Sequence, residues 1–126
     1  MQILLVDDDQ DDYLLTKDLL GDINGFRFKL EWQNTFEAAL KAIESKSHDL
    51  YLFDYHLGAH SGHELLLAAK KAGIDKPIIM LTGNGDDEAD RQALQAGAAD
   101  YLIKGLVTSF MLERAIVHGL ERSRML

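Results

Sequence analysis

The groups of this chain best suited to hold a cation and an anion each follow directly on a short apolar run. Ile3-Leu4-Leu5-Val6 leads into Asp7 and Asp8, and Leu50-Tyr51-Leu52-Phe53 into Asp54. Ile78-Ile79-Met80-Leu81 leads into Thr82, and Tyr101-Leu102-Ile103 into Lys104. Carboxylates within about 4–6 Å of one another either raise each other's pKa or recruit a cation. Sites built from carboxylates alone suit Mg²⁺ or Mn²⁺, which take oxygen ligands and keep several waters. An aspartate beside such a cation can itself attack phosphorus and form an acyl phosphate. Transfer then depends on in-line placement and on neutralising the equatorial oxygens. The cation, the Lys104 ammonium, the Thr82 hydroxyl and loop N–H groups can supply that.

These groups lie far apart in sequence, so the fold must bring them together. Continuous apolar runs of three or four residues read as strands buried on both faces, the mark of a parallel sheet. A parallel sheet places the carboxyl ends of its strands on one edge, where open α/β folds bind their ligands. Between the runs lie helical patterns, and strand and helix together recur about every 25 residues. Asp9 or Gln10 opens the first helix, with Leu14, Leu15, Leu19 and Leu20 inward and Gly21 as its stop. Asp9, Asp11 and Asp12 read as a solvated first turn. Phe26, Phe28, Leu30 and Trp32 alternate with charged residues, so this second strand belongs at the sheet edge. Asn34 or Thr35 caps the second helix, whose Phe36, Ala39, Leu40 and Ile43 follow helical spacing. The turn-rich loop from Gly58 to Gly62 leads into a third helix with Leu65, Leu66 and Ala69, ended near Gly73. Pro77 starts the fourth strand. A fourth helix spans roughly Asp86 to Ala96, and a last one about Val107 to Arg122. Right-handed crossovers with helices on both faces predict a doubly wound, five-stranded, three-layer αβα sandwich in the order 2-1-3-4-5. That order sets Asp7 and Asp8 beside Asp54.

Composition fits one domain over residues 1–126. Hydrophobic residues make up 47% of 126, and thirteen basic against twenty-one acidic residues give a net charge of −8. An acidic chain without a basic stripe is a poor nucleic-acid binder. No run approaches the roughly 18 apolar residues of a membrane span. With no basic n-region or cleavage site at its start, no secretory signal is expected, and the absence of cysteine excludes thiol chemistry. A cytoplasmic location agrees with all of this.

With these motifs in place, the whole chain resembles the receiver domains of bacterial two-component response regulators. The resemblance rests on Ile3-Leu4-Leu5-Val6-Asp7-Asp8-Asp9, on Leu52-Phe53-Asp54-Tyr55-His56-Leu57 with Gly62, on Met80-Leu81-Thr82-Gly83, and on Gly97 to Lys104. It implies a flavodoxin-like fold and a phosphoacceptor at Asp54. It implies Mg²⁺ (or Mn²⁺) held by Asp8, Asp54 and the backbone carbonyl of His56, with Asp7 acting through a water. Lys104 would pair with the phosphoryl group, and Thr82 and Tyr101 would form the switch pair. His56 and Asn84, each two residues beyond a phosphoryl-contacting group, would tune its lifetime. The implied donor is a sensor histidine kinase or a histidine phosphotransfer protein. Such a domain catalyses only its own phosphorylation and dephosphorylation.

Two positions depart from the family pattern. Gly105 stands where proline commonly follows the lysine, and Gly58 where proline often stands four residues after the phosphoacceptor. A cis bond without proline costs about 2.5–4 kcal/mol, so a trans bond is expected at Gly105. The last helix carries Phe110, Met111, Leu112, Ala115, Ile116, Val117 and Leu120, more apolar residues than one stripe needs. The surplus suggests a homodimer across the fourth helix, fifth strand and fifth helix (α4-β5-α5). The end of the chain carries no stop signal and suits a fused output domain. His56, His60 and His63 also admit a zinc reading, which no cysteine supports. An aspartyl-phosphate phosphatase of haloacid-dehalogenase type would need a second Asp where His56 stands. A receiver that only docks, without accepting phosphate, is the remaining alternative.

Overall fold

The two central apolar runs are buried along their whole length, as strands covered on both faces must be. In the computed structural model, which describes residues 1–83 and 87–124, five strands form one parallel sheet. They are β1 (Gln2–Val6), β2 (Lys29–Gln33), β3 (Leu50–Asp54), β4 (Ile78–Thr82) and β5 (Asp100–Ile103), in the order β2-β1-β3-β4-β5. The register sets Val6 beside Phe53, Asp54 beside Leu81 and Thr82 beside Ile103. The helices are α1 (Gln10–Gly21), α2 (Phe36–Glu44), α3 (Gly62–Lys71), α4 (Asp87–Gln95) and α5 (Ser109–Arg124). A two-residue hairpin, His56–Leu57 against His60–Ser61, connects β3 to α3. The expected doubly wound, flavodoxin-like architecture is the one observed.

Strand alternation divides the core into two layers. Leu4, Val6, Tyr51, Phe53, Ile78 and Met80 meet Ile43, Leu65, Leu66 and Ala93 from α2, α3 and α4. Ile3, Leu5, Leu50, Leu52, Ile79 and Leu81 meet Leu20, Leu112 and Ile116 from α1 and α5. Side-chain oxygens start the helices: Asp9 accepts from the Asp11 N–H, Thr35 from Ala38 and Ser61 from Glu64. Gly73 (φ 87°) and Gly97 (φ 104°) take the left-handed conformation just past α3 and α4. No cis peptide bond occurs among the described residues, and Gly105 turns the chain with φ 80° instead.

Several boundaries and faces differ from the pattern in the sequence. The edge strand starts at Lys29 and not at Phe26. Its one neighbour, β1, begins at Gln2, which pairs with Lys29, so earlier residues have no strand to pair with. On α1 the inward stripe is Thr16 and Leu20, while Leu14 and Leu15 are exposed, Leu15 at 62%. The stack of Tyr13 on Trp32 (4.3 Å between ring centroids, planes 6° apart) marks the side of α1 facing β2. Helix α5 starts two residues late because Thr108 Oγ1 caps it, accepting from the Met111 N–H. One stripe of α5 (Leu112, Ala115, Ile116) is buried, and Phe110 and Met111 are left outside.

Gly62 lets α3 pack against the end of β3. Its N–H donates to the Tyr55 carbonyl at 2.6 Å. A Cβ at this position would collide with the Asp54 carbonyl oxygen and lie 2.8 Å from Met80 Cε. Gly62→Ala is therefore expected to cost at least about 1–3 kcal/mol, the usual range for overpacking. Urea denaturation measures it, and unchanged stability would show that α3 can shift freely.

Candidate functional site

The ladder of the sheet continues one residue past its strands. The Asp7 N–H donates to the Gln33 carbonyl (3.1 Å), Tyr55 to Leu81 (2.9 Å) and Lys104 to Thr82 (2.7 Å). These bonds carry strand register into the carboxyl edge, so the groups there are placed by the sheet and not by loose loops. Asp7, Asp54 and Lys104 stay in phase with Leu5, Leu52 and Leu102, on the α1/α5 side. Thr82 is in phase with Met80, on the α4 side.

Asp7, Asp8 and Asp54 each offer one carboxylate oxygen, all within 4.8 Å of one another. Asp7 is fully buried, Asp54 is 4% exposed, and Asp8 faces solvent. Lys104 Nζ donates to Asp7 Oδ2 (2.9 Å) and Asp12 Oδ2 (2.8 Å), and lies 3.0 Å from Asp54 Oδ1. Backbone groups complete the cluster. The Asp9 N–H donates to Asp7 Oδ1 (3.0 Å) and the Gly58 N–H to Asp8 Oδ2 (3.1 Å). A small hard cation takes oxygens at about 2.0–2.1 Å and keeps several waters, so these carboxylates could share one directly or through water. The donor set is oxygen alone and partly open to water, as such a cation requires. Among the described residues no other cluster of this kind occurs, and the zinc reading fails. His60 instead bonds Glu64 (2.9 Å) and stacks on Phe36.

The electrostatics follow from burial. Desolvation and then the neighbouring Asp7 charge push the Asp54 carboxyl up to about 6, against the lowering effect of Lys104. Desolvation also raises Asp7, opposed by its bonds to Lys104 and Asp9. Burial works against the Lys104 ammonium, but its bonds to Asp12, Asp7 and Asp54 outweigh it and raise its pKa. The site without a cation is thus an excess of buried negative charge around one ammonium.

The remaining groups sort plainly. Thr82 is buried, and its Oγ1 has no hydrogen-bond partner among the described residues. A buried hydroxyl without a partner costs roughly 1–3 kcal/mol, so it awaits an acceptor. Tyr101 sits beside Met80 in the sheet, half-buried against the α4-side core. His56 is exposed, its ring edge-on to Tyr55 at 5.2 Å. Asn84 lies outside the described residues. Asp9 and Asp11 are exposed, as a solvated turn requires, whereas Asp12 in the same first turn is partly covered. It bonds Lys104 instead, because α1 begins at the site edge and turns its first coil toward the lysine. Trp32 was legible only as packing, yet its Nε1–H donates to the Asp7 carbonyl at 2.8 Å and holds the acidic loop.

Proton linkage gives a test of this charge balance. Between the ordinary value of 3.8 and about 6, native Asp54 keeps a proton that the unfolded chain has released. Without divalent cations, raising the pH from about 4 to about 6 should therefore erode stability, by on the order of 2–3 kcal/mol from this group. Above that window the loss levels off. Asp54→Asn should lack this component and be the more stable protein at pH 7 in chelator. Urea denaturation of both proteins across the range gives the difference, and a difference that does not change with pH would contradict the raised carboxyl.

Comparison with known proteins fits this geometry. Residues 3–116 match the family model of the response regulator receiver domain. The response regulator RppA of Synechocystis sp. is 32% identical over 116 residues, covering 90% of this chain and 48% of that protein. The transcriptional regulatory protein ZraR of Escherichia coli K12 is 30% identical over 121 residues, 94% of this chain and 27% of that protein. The chain thus spans less than half the length of either relative. A CheY-like receiver domain protein from Methanospirillum hungatei superposes with a TM-score of 0.84 at 32% identity, over 98% of this chain and 96% of that one. A receiver domain from Clostridium thermocellum superposes with a TM-score of 0.86 at 27% identity, over 98% and 97%. With the sheet order, the acidic cluster and the match over residues 3–116 all in agreement, this chain belongs to the response regulator receiver domains.

Proposed function

We propose that the chain is a phosphorylatable switch that accepts a phosphoryl group on Asp54 from a sensor histidine kinase or a histidine phosphotransfer protein. The observation that carries this is the meeting of Asp54 with Asp7, Asp8 and Lys104 at one edge of the sheet. An Asp54 oxygen attacks phosphorus, the new O–P bond forms as the donor's P–N bond breaks, and the imidazole nitrogen takes the electron pair and a proton. Mg²⁺ (or Mn²⁺), held by Asp8, Asp54 and the His56 carbonyl with Asp7 through a water, would neutralise the phosphoryl oxygens. Lys104 pairs with one of those oxygens, and its position 3.0 Å from Asp54 Oδ1 already serves that end. Incubation with acetyl phosphate and Mg²⁺ should add the mass of one phosphoryl group. Asp54→Asn should abolish the addition, and Asp8→Ala should remove the Mg²⁺ requirement along with most of the rate. Labelling unchanged in Asp54→Asn would overturn Asp54 as the acceptor, and a parent that takes no label would leave only the docking role.

The Thr82 hydroxyl then turns to the phosphoryl group, and the Tyr101 ring follows into the space on the α4 side. Two packings of that face exchange. Leu94 of α4 and Phe110 and Met111 of α5 are exposed, and the α4-β5-α5 face is the proposed seat of a homodimer or of contact with a fused output domain. The greater length of the relatives supports such a domain beyond residue 126. A cytoplasmic location accords with the kinase as donor. Among the described residues no helix is long and apolar enough to cross a membrane.

His56 and Asn84 are the proposed gate for the water that ends the signal, which must lie in line with phosphorus opposite Asp54. A barrier change of about 1.4 kcal/mol is a tenfold change in rate. His56→Ala and Asn84→Ala should each move the dephosphorylation rate several-fold while Mg²⁺ affinity holds. Decay curves that overlay the parent's would place the control elsewhere.

A further inference from the structure

Lys104 has three N–H donors and no more. In this structure Asp7 and Asp12 accept two of them, and Asp54 Oδ1 pairs with the same ammonium at 3.0 Å. The three are not equivalent. Asp7 is fully buried and also fixed by the Asp9 N–H. Asp54 would itself carry the phosphoryl group, so its bond to Lys104 can pass to a phosphoryl oxygen. Asp12 belongs to neither the cation cluster nor the acceptor.

Asp12 also differs in setting. Its side chain is 33% exposed and that of Lys104 20%. The pair lies at a cleft of about 290 Å³ between α1 and the chain after β5, which Leu15, Leu19 and Val107 also line. Asp12 can turn from Lys104 into solvent there. It sits in the first turn of α1, where the helix dipole favours its charge with or without a partner. Of the three contacts this is the one released at least cost. A phosphoryl dianion arriving at Lys104 meets the Asp12 charge on the same nitrogen, and like charges there repel.

We infer that the Asp12 carboxylate competes with the incoming phosphoryl group for Lys104 and so restrains phosphorylation of Asp54. The inference rests on Asp54 being the acceptor. Asp12 is a positioning residue: it acts on the reaction only through the lysine.

Two measurements test it on the intact chain. The first needs no phosphorylation. In a double-mutant cycle of Asp12→Asn and Lys104→Met, read by urea unfolding in chelator, the two destabilisations should fall short of adding, because they remove one shared contact. Additive effects would overturn the pair itself. The second compares rates with acetyl phosphate at saturating Mg²⁺. Asp12→Asn should be phosphorylated about three- to tenfold faster than the parent, chiefly through a lower half-saturating acetyl phosphate concentration. The advantage should shrink as salt rises. Asp12→Glu, which keeps the charge, should stay near the parent rate. An Asp12→Asn rate equal to or below the parent's would overturn the competition. A parent that takes no phosphate would refute the acceptor role of Asp54, and the competition with it, while the cycle still reports on the ion pair.

Discussion

Everything at the carboxyl edge depends on one imbalance: several carboxylates held close together around a single ammonium. Left free, Asp7, Asp8 and Asp54 would separate, since like charges in a partly buried site repel each other strongly. They stay because each is fixed by backbone. Asp7 follows β1 and Asp54 ends β3, strands buried over Ile3–Val6 and Leu50–Phe53, and Asp8 is tied by the Gly58 N–H. The sheet's packing supplies what the site's electrostatics oppose. Lys104 is the local answer to that opposition, and its three contacts make it the hub of the site.

The scaffold suits this duty because its rigid part ends where the chemistry begins. Both core layers grip β3 and β4 without a gap, and the backbone ladder runs one residue beyond the strands into Asp7, Tyr55 and Lys104. Gly62 lets α3 close on the back of Asp54, a contact no side chain would permit. The parts free to change are polar groups with vacant bonding capacity. Thr82 is the clearest: a buried hydroxyl with no partner among the described residues, on the face where Tyr101 packs. In the proposed switch, a new bond to this hydroxyl and a new packing of Tyr101 would come together.

The strands and their order were legible because doubly buried strands leave a continuous apolar run, and each run here ended in a reactive group. What escaped was decided by partners that spacing does not record. Phe26 alternates as a strand residue should, but β1 starts too late to pair with it. Leu14 and Leu15 look like a core stripe, yet the inward side of α1 belongs to Thr16 and Leu20. Asp12 was indistinguishable from Asp11 as an acid in a first helical turn. Only the fold, with β5 ending beside the start of α1, tells that one of them meets a lysine from 92 positions away. Trp32 was missed likewise, since its indole N–H finds a carbonyl that no periodicity points to.

The role proposed for Asp54 needs an ionised carboxylate, yet burial and then the Asp7 charge drive it up to about 6. The two demands are opposed. Exposing Asp54 would lower its pKa but surrender the in-line placement that transfer requires. Crowding more cations around it would ionise it and also bind every passing anion. The arrangement found here is intermediate. One lysine lowers the carboxyl part of the way, and three carboxylates dilute that lysine's own attraction for anions. The residual negative charge is what a divalent cation relieves. In the proposed reaction a bound cation would lower the Asp54 carboxyl further and offset the charge that opposes packing of the resting domain.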